Sequence, residues 1–333
     1  MPESDRRAIL VTGASGLLGA NLVLSAKEKH QVVAVCNSHP LRPDGFEVVQ
    51  VDLSQSGTIQ RVIGAAGPDW VIHCAALTDV DRCEAEPELA YRLNRDLAGW
   101  AAEGAEASGA RLVHISTDAV FDGERGGYRE DDQARPINVY GHSKLEGERA
   151  VLDACPGALI VRTNIFGWNA QPKESLAEWF LGKLEGGENC PGFSDVFVTP
   201  ILVNDLADLL LRLLETGKEG LFHVGGKDCV SKLDFGLRIA YVFGLESGLL
   251  EPADADSVGL RARRPRRLCL DGTQAVAALG CPLPELDDAI RRFRDLRSDG
   301  YRDRLRQMLE PVPGNMPEVK LLGQTPSAEG TAR

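Results

Sequence analysis

The chain has 333 residues, 43% of them hydrophobic and 26% charged, enough to bury a large core in one big domain or two coupled ones. A formal net charge of -12 sets it against a polyanion partner such as nucleic acid, while leaving room for a small anion in a local basic pocket. The eight cysteines contain no C-x-x-C pair and several lie in apolar runs, which reads as buried free thiols in a reducing compartment with no metal centre.

Residues 1–7 are polar and lack the apolar core of a signal peptide, and no apolar run approaches the roughly 20 residues that cross a bilayer. The expectation is a cytoplasmic protein without membrane contact. Residues 8–11 form a short apolar run suited to a strand buried on both faces. Thr12-Gly13-Ala14-Ser15-Gly16-Leu17-Leu18-Gly19 follows, and then a helical stretch over 20–29. Glycines at 13, 16 and 19 let a backbone turn tightly, approach a pyrophosphate and seat a helix on its strand. With the strand before and the helix after, residues 13 and 15–19 are read as a dinucleotide-binding turn.

A second strand spans Gln31–Cys36 and ends in Asn37, Ser38 and His39, with Arg42 beyond. The absence of a carboxylate there favours NADP(H), with NAD(H) as the weaker option. A third strand over 46–51 closes on Asp52 and Leu53, where Asp52 either accepts from the adenine amino group or caps the next helix. The fourth, from Trp70, runs into Cys74, Ala75 and Ala76, small enough for close approach to a cofactor. A long helical stretch over 91–108 contains Asn94. The fifth strand, from Arg111, carries Ser116, Thr117 and Asp118 at its C-terminal end, where doubly wound sheets place their ligands. Short buried strands alternating with helices define an α/β fold with a mostly parallel sheet.

Tyr140-Gly141-His142-Ser143-Lys144 then sets a phenol and an ammonium one helical turn apart on a single face. Reduction of a ketone by a nicotinamide needs a hydride donor, a proton donor and a hydrogen bond to the carbonyl oxygen. Tyr140 is the candidate proton donor, with its pKa lowered by Lys144, which also reaches the nicotinamide ribose. Thr117 steadies the substrate oxygen. His142 and Ser143 are read as structural, and His73 and His114 as satisfied core histidines. A sixth strand spans 158–163, and the pattern then breaks up. Aromatics stand at 166, 168, 179 and 180, helices at 205–215, 232–243 and 274–279, and five arginines between 261 and 267. Residues 1–165, rejoined by about 198–225, are read as a Rossmann-type nucleotide-binding domain. Residues 166–197 and 226–310 form a smaller substrate-binding region, and 311–333 a mobile tail.

These residues resemble the extended short-chain dehydrogenase/reductase family, and within it the dTDP-4-dehydrorhamnose reductase group. The matching stretches are Thr12 to Gly19, Cys74 to Asp81 with Glu84 and Pro87, Ser116 to Gly123, Pro136 to Lys144, and Arg263-Arg264-Pro265 before Leu270-Asp271. The resemblance implies Thr117, Tyr140 and Lys144 as the catalytic set, with Asn94 either in a proton relay or in a helix-to-strand hydrogen bond. It implies a nucleotide-sugar substrate, reached by Thr78, Val80, Asp81, Thr117, Asp118, Phe166 and Trp168. Arg263 or Arg264 is expected to pair with its diphosphate. The stretch from Asn164 to Trp168 and the segment Val198-Thr199-Pro200 depart from the group, both on the expected sugar side. Ala119, where dehydratases of the family carry an acid, speaks against dehydration but not against epimerisation. A non-catalytic relative resembling the methionine adenosyltransferase β subunit is the other alternative, and homodimerisation stays open.

Overall fold

The computed structural model describes residues 6–309. Its central sheet has seven strands: β1 (Ala8–Thr12), β2 (Gln31–Cys36), β3 (Glu47–Gln50), β4 (Trp70–His73), β5 (Arg111–Thr117), β6 (Leu159–Thr163) and β7 (Gly220–His223). They lie in the order β7-β6-β5-β4-β1-β2-β3, and every neighbouring pair is parallel. The inner strands β1, β4 and β6 are apolar and buried on both faces, and parallel pairing makes the chain cross over through helices. Ile9 and Val11 face one core with Leu18, Leu22 and Leu206, whereas Leu10 between them faces a second core with Ile59, Ile63 and Ala101. The order reverses between β1 and β4, so a crevice opens above their C-terminal ends.

The helix that carries Tyr140 and Lys144 is Val139–Ala154, and Asn138 caps it by accepting from the Gly141 N–H at 2.8 Å. Two glycines let this helix lie directly on backbone. A Cβ on Gly141 would fall 2.2 Å from the Ala119 carbonyl oxygen, and one on Gly147 would fall 2.1 Å from that of Asn94. Asn94 sits in a π-helical turn, Arg92–Asp96, that runs into the helix Leu97–Ser108. The Tyr140 helix is thereby held between the end of β5 and that turn.

Beyond β6 the chain extends the core of Ile9 and Val11 with aromatics. Phe166, Trp168, Phe180, Phe235 and Phe293 are all under 2% exposed, enclosed by the helices Leu176–Glu185, Lys232–Phe243 and Leu286–Ser298. Trp168 stacks on Phe293 at 4.0 Å, and its indole N–H donates to the Phe293 carbonyl at 2.8 Å. Phe166 and Trp168, expected against the substrate, are therefore core. Their apolar rings find more burial under three helices than on a wet wall. The expectation of uniformly free thiols is also corrected, because Cys229 and Cys269 form a disulfide and six cysteines remain free. Forty residues separate the pair, and no spacing rule links cysteines so far apart. The tail expected from 311 onward lies outside the described residues. Among those described, no helix is long and apolar enough to cross a membrane.

Candidate active site

A cavity of about 870 Å³ runs along the crevice, from the glycine turn at one end to the aromatic core's outer loops at the other. Gly13, Ser15, Gly16, Leu17, Leu18 and Gly19 line the first end. Two of the glycines answer to the protein's own backbone. Gly13 has φ +61 and a Cβ there would meet Ala75 at 2.8 Å, while a Cβ on Gly19 would fall 2.2 Å from the Gly13 oxygen. Gly16 differs: its Cβ would meet only the Gly13 oxygen, at 3.2 Å, and otherwise project toward the cavity. It is also the N-cap of the helix Leu17–Ala26, which has no side-chain cap and no acid in its first turn. Uncapped N–H groups beside a missing side chain make a cradle that fits a pyrophosphate.

Asn37, Ser38, His39, Asp52 and Leu53 line the next stretch, and Cys74, Ala75 and Ala76 its floor. Asp52 accepts from the Ser54 N–H at 2.9 Å, and the following helix is capped by Gly57, so Asp52 does not cap it. Arg42 does not line the cavity; its backbone N–H donates to the Met308 carbonyl instead.

Ser116, Thr117, Asp118, Tyr140 and Lys144 meet at the middle of the cavity. Lys144 is 2% exposed, and its ammonium donates to the Ile115 carbonyl at 2.7 Å and lies 3.3 Å from His114 Nε2. Burial brings its pKa down to about 8, with Glu148 acting the other way. Glu148 is itself held by Ser116 and by a buried ion pair with Arg162 at 2.6 Å. Burial raises the Tyr140 phenol above its ordinary range; Thr117 opposes the rise and Asp118 adds to it. The expected lowering by Lys144 is not seen, because the ammonium turns toward β5 and desolvation dominates. Asp118 accepts from Thr117 Oγ1 at 3.1 Å and from Asn164 Nδ2 at 2.7 Å, and burial pushes its pKa up to about 6.

Asn94 lies off the cavity wall. Its amide accepts from the Leu77 N–H at 2.8 Å and donates to the Leu77 carbonyl at 3.1 Å and Ser143 Oγ at 3.0 Å, so it ties its turn to the loop after β4 and to the Tyr140 helix. His73 and His114 are buried and stacked at 5.5 Å, each with one nitrogen bonded and the other without a partner. They are thus half-satisfied core histidines.

At the far end the wall comes from Thr78, Val80, Val196, Val198, Arg264 and Leu268, with Lys232 among them. Asp81 is off the wall: it receives the Ala262 N–H at 2.9 Å and the Arg264 guanidinium at 3.0 Å, so it fixes the arginine loop. Burial alone would raise Asp81, but these two bonds outweigh it and hold its pKa below the ordinary value. Arg263 is exposed and contributes only its carbonyl, to Asn138 Nδ2 at 2.9 Å.

The RmlD substrate binding domain matches residues 7–297, which cover the glycine turn, the Tyr140 helix and the far wall together. The chain belongs to that family. A probable low-salt glycan biosynthesis reductase, Agl14, from Haloferax volcanii is 37% identical over 87% of this chain and 98% of its own. Methionine adenosyltransferase 2 subunit beta from Pongo abelii is 36% identical over 80% of each chain. A crystal structure of the Bacillus anthracis dTDP-4-dehydrorhamnose reductase in complex with NADP superposes with a TM-score of 0.76, at 28% identity over 87% of this chain and 99% of that one.

Within this RmlD-family chain, Lys232, Asn164 and Gln171 are cavity residues that the motifs did not reveal. Gln171 Nε2 donates to the Ser15 carbonyl at 2.9 Å, tying the loop after Trp168 to the glycine turn. Among the described residues the Lys232 ammonium has no hydrogen-bond partner; burial and Arg264 lower its pKa against the pull of Asp118. One signal was available for Lys232. It directly follows Ser231, which with Asp234 makes a capping box, so a basic residue at that position starts a helix at the cavity edge.

Proposed function

We propose that this chain is an NADP(H)-dependent reductase of the keto group of a nucleotide-linked deoxysugar. The observation that carries the reading is a single cavity that joins the Gly16 cradle to Thr117, Tyr140 and Lys144 and ends at Lys232 and Arg264. A bound nicotinamide would supply the hydride. Gly13 to Gly19 would hold its pyrophosphate, and Lys144 its ribose. Asn37, Ser38 and His39 carry no acid to repel a 2′-phosphate, which supports NADP(H) over NAD(H). Tyr140 donates the proton to the carbonyl oxygen, and Thr117 holds that oxygen in line. The buried Lys144 keeps its positive charge below about pH 8, so it can meet the ribose hydroxyls as an ammonium. The relatives support the reading: an archaeal glycan reductase and a dTDP-4-dehydrorhamnose reductase share most of the chain.

The test is direct: purified protein is mixed with NADPH and a panel of nucleotide-linked keto sugars, and loss of NADPH absorbance is followed. Oxidation with at least one sugar is expected. The similarity to methionine adenosyltransferase 2 subunit beta favours a second reading, a partner subunit that keeps the cavity without turnover. No oxidation across the panel, together with co-purification of a synthetase subunit, would put that reading first.

A further inference from the structure

The Cys229–Cys269 disulfide stands beside the substrate end of the cavity, and the proposed reaction does not use it. Cys229 leads directly into Val230–Ser231, which pairs antiparallel with Phe197–Val198. On the opposite edge of that middle segment, the Leu268 N–H donates to the Phe197 carbonyl at 2.8 Å and the Phe197 N–H to the Arg266 carbonyl at 2.6 Å. Cys269 follows Leu268. The sulfur bridge therefore clamps the two outer segments of a three-segment patch, and this patch supplies Val198, Lys232 and Leu268 to the wall. The two sulfurs are unequal: Cys229 is exposed, whereas Cys269 is 3% exposed. A solvent thiol can reach one and expel the other. Thiols at the glycine end are poor competitors, since burial pushes Cys74 up to about 12 and raises Cys36 as well.

We propose that Cys229–Cys269 is a thiol-exchange site for dithiol reductants, and that its state sets the affinity of the cavity for the nucleotide sugar. In the exchange, one thiolate of the dithiol attacks the Cys229 sulfur. The sulfur–sulfur bond breaks, and its electron pair leaves on Cys269, which takes up a proton. The second thiol of the reductant then attacks the mixed disulfide and releases Cys229 as a thiol. The balance is two protein thiols and one oxidised dithiol, a two-electron, two-proton transfer. Opening the bridge releases a loop closed over 40 residues. Arg264 keeps its ion pair with Asp81, so the loosening falls on Lys232 and Leu268. The glycine turn belongs to other segments and keeps its order. The inference rests on the reductase reading only for its choice of substrate.

The experiment uses the full chain, untreated and after dithiothreitol. Thiols titrated in denaturant should number six before reduction and eight after. Hydrogen exchange over 229–232 and 264–270 should quicken on reduction, while exchange over 12–19 stays unchanged. The KM for the nucleotide sugar should rise about tenfold if the ordered wall falls to about a tenth of the population, with the NADPH affinity unaltered. Cys229→Ser should copy the reduced form and ignore dithiothreitol. Eight thiols before reduction would overturn the proposal, as would a verified reduction that leaves either the exchange over the patch or the KM unchanged. If no keto sugar is turned over in either state, the reductase reading fails, and calorimetric binding of the nucleotide sugar to the oxidised and reduced chain decides this one.

Discussion

The two ends of the cavity are built by opposite strategies. The glycine end is one unbroken stretch, Thr12 to Gly19, in which strand, turn and helix follow each other, braced from outside by Ala75 and Gln171. The substrate end is gathered from segments around 118, 164, 198, 232 and 264, held by contacts such as Asp81 to Arg264 across 183 residues. A site built from contiguous chain keeps its geometry even when the rest is altered. A site built from remote segments is only as fixed as the long-range bonds between them.

The largest effect should come at the join between the two ends. Tyr140→Phe is expected to lower turnover by roughly 10²- to 10⁴-fold, the range for loss of a general acid, with NADPH affinity by calorimetry unchanged. Full turnover in this variant would move the proton donor elsewhere. Wild-type turnover should also decline as pH rises through about 8, because the depressed Lys144 pKa means the cation is present below that value and lost above it. A flat profile up to pH 10 would separate Lys144 from the chemistry.

Next comes Glu148→Ala, which strands Arg162 without a counter-charge where both side chains are about 5% exposed. A loss of about 3–5 kcal/mol in urea unfolding is expected for a broken buried pair. A loss below about 1 kcal/mol would show that water reaches the site. Smaller again is Gly16→Val, which should cut NADPH affinity by at least about tenfold while the unfolding midpoint holds, since its Cβ meets one atom at 3.2 Å. Gly19→Ala should instead unfold the turn, its Cβ falling 2.2 Å from the Gly13 oxygen. Equal behaviour of the two would erase the distinction between cradle and scaffold. The smallest effect separates two cations: Lys232→Met should raise the nucleotide-sugar KM about tenfold, whereas the exposed Arg263→Ala should leave it within about twofold.

The same contrast explains what could be read in advance. The parallel sheet, the glycine turn and the meeting of Thr117 with Tyr140 were legible because each rests on local periodicity or a compact motif. Phe166 and Trp168 were not, because one of the helices that enclose them, Leu286–Ser298, comes more than a hundred residues later. For Lys232 the capping box marked only a helix start; its surroundings depend on Asp118 and Arg264, of which Asp118 is remote in sequence. Asp81 shows the limit most plainly, since its place in a cavity-side stretch was visible but its partner, Arg264, was not. The disulfide joins the same class.

Gly147 lies outside the cavity, yet it sets how closely the Tyr140 helix approaches the Asn94 turn, and so where the proposed proton donor stands. Any side chain there would have to force the Tyr140 helix away from the Asn94 carbonyl by about an ångström or more to relieve a 2.1 Å approach. A shift of about that size in a proton donor is enough to cost on the order of 10²-fold in rate. Variation at this position would therefore be expected to lower turnover and stability together, which makes Gly147 a spacer whose thickness is set by having no side chain.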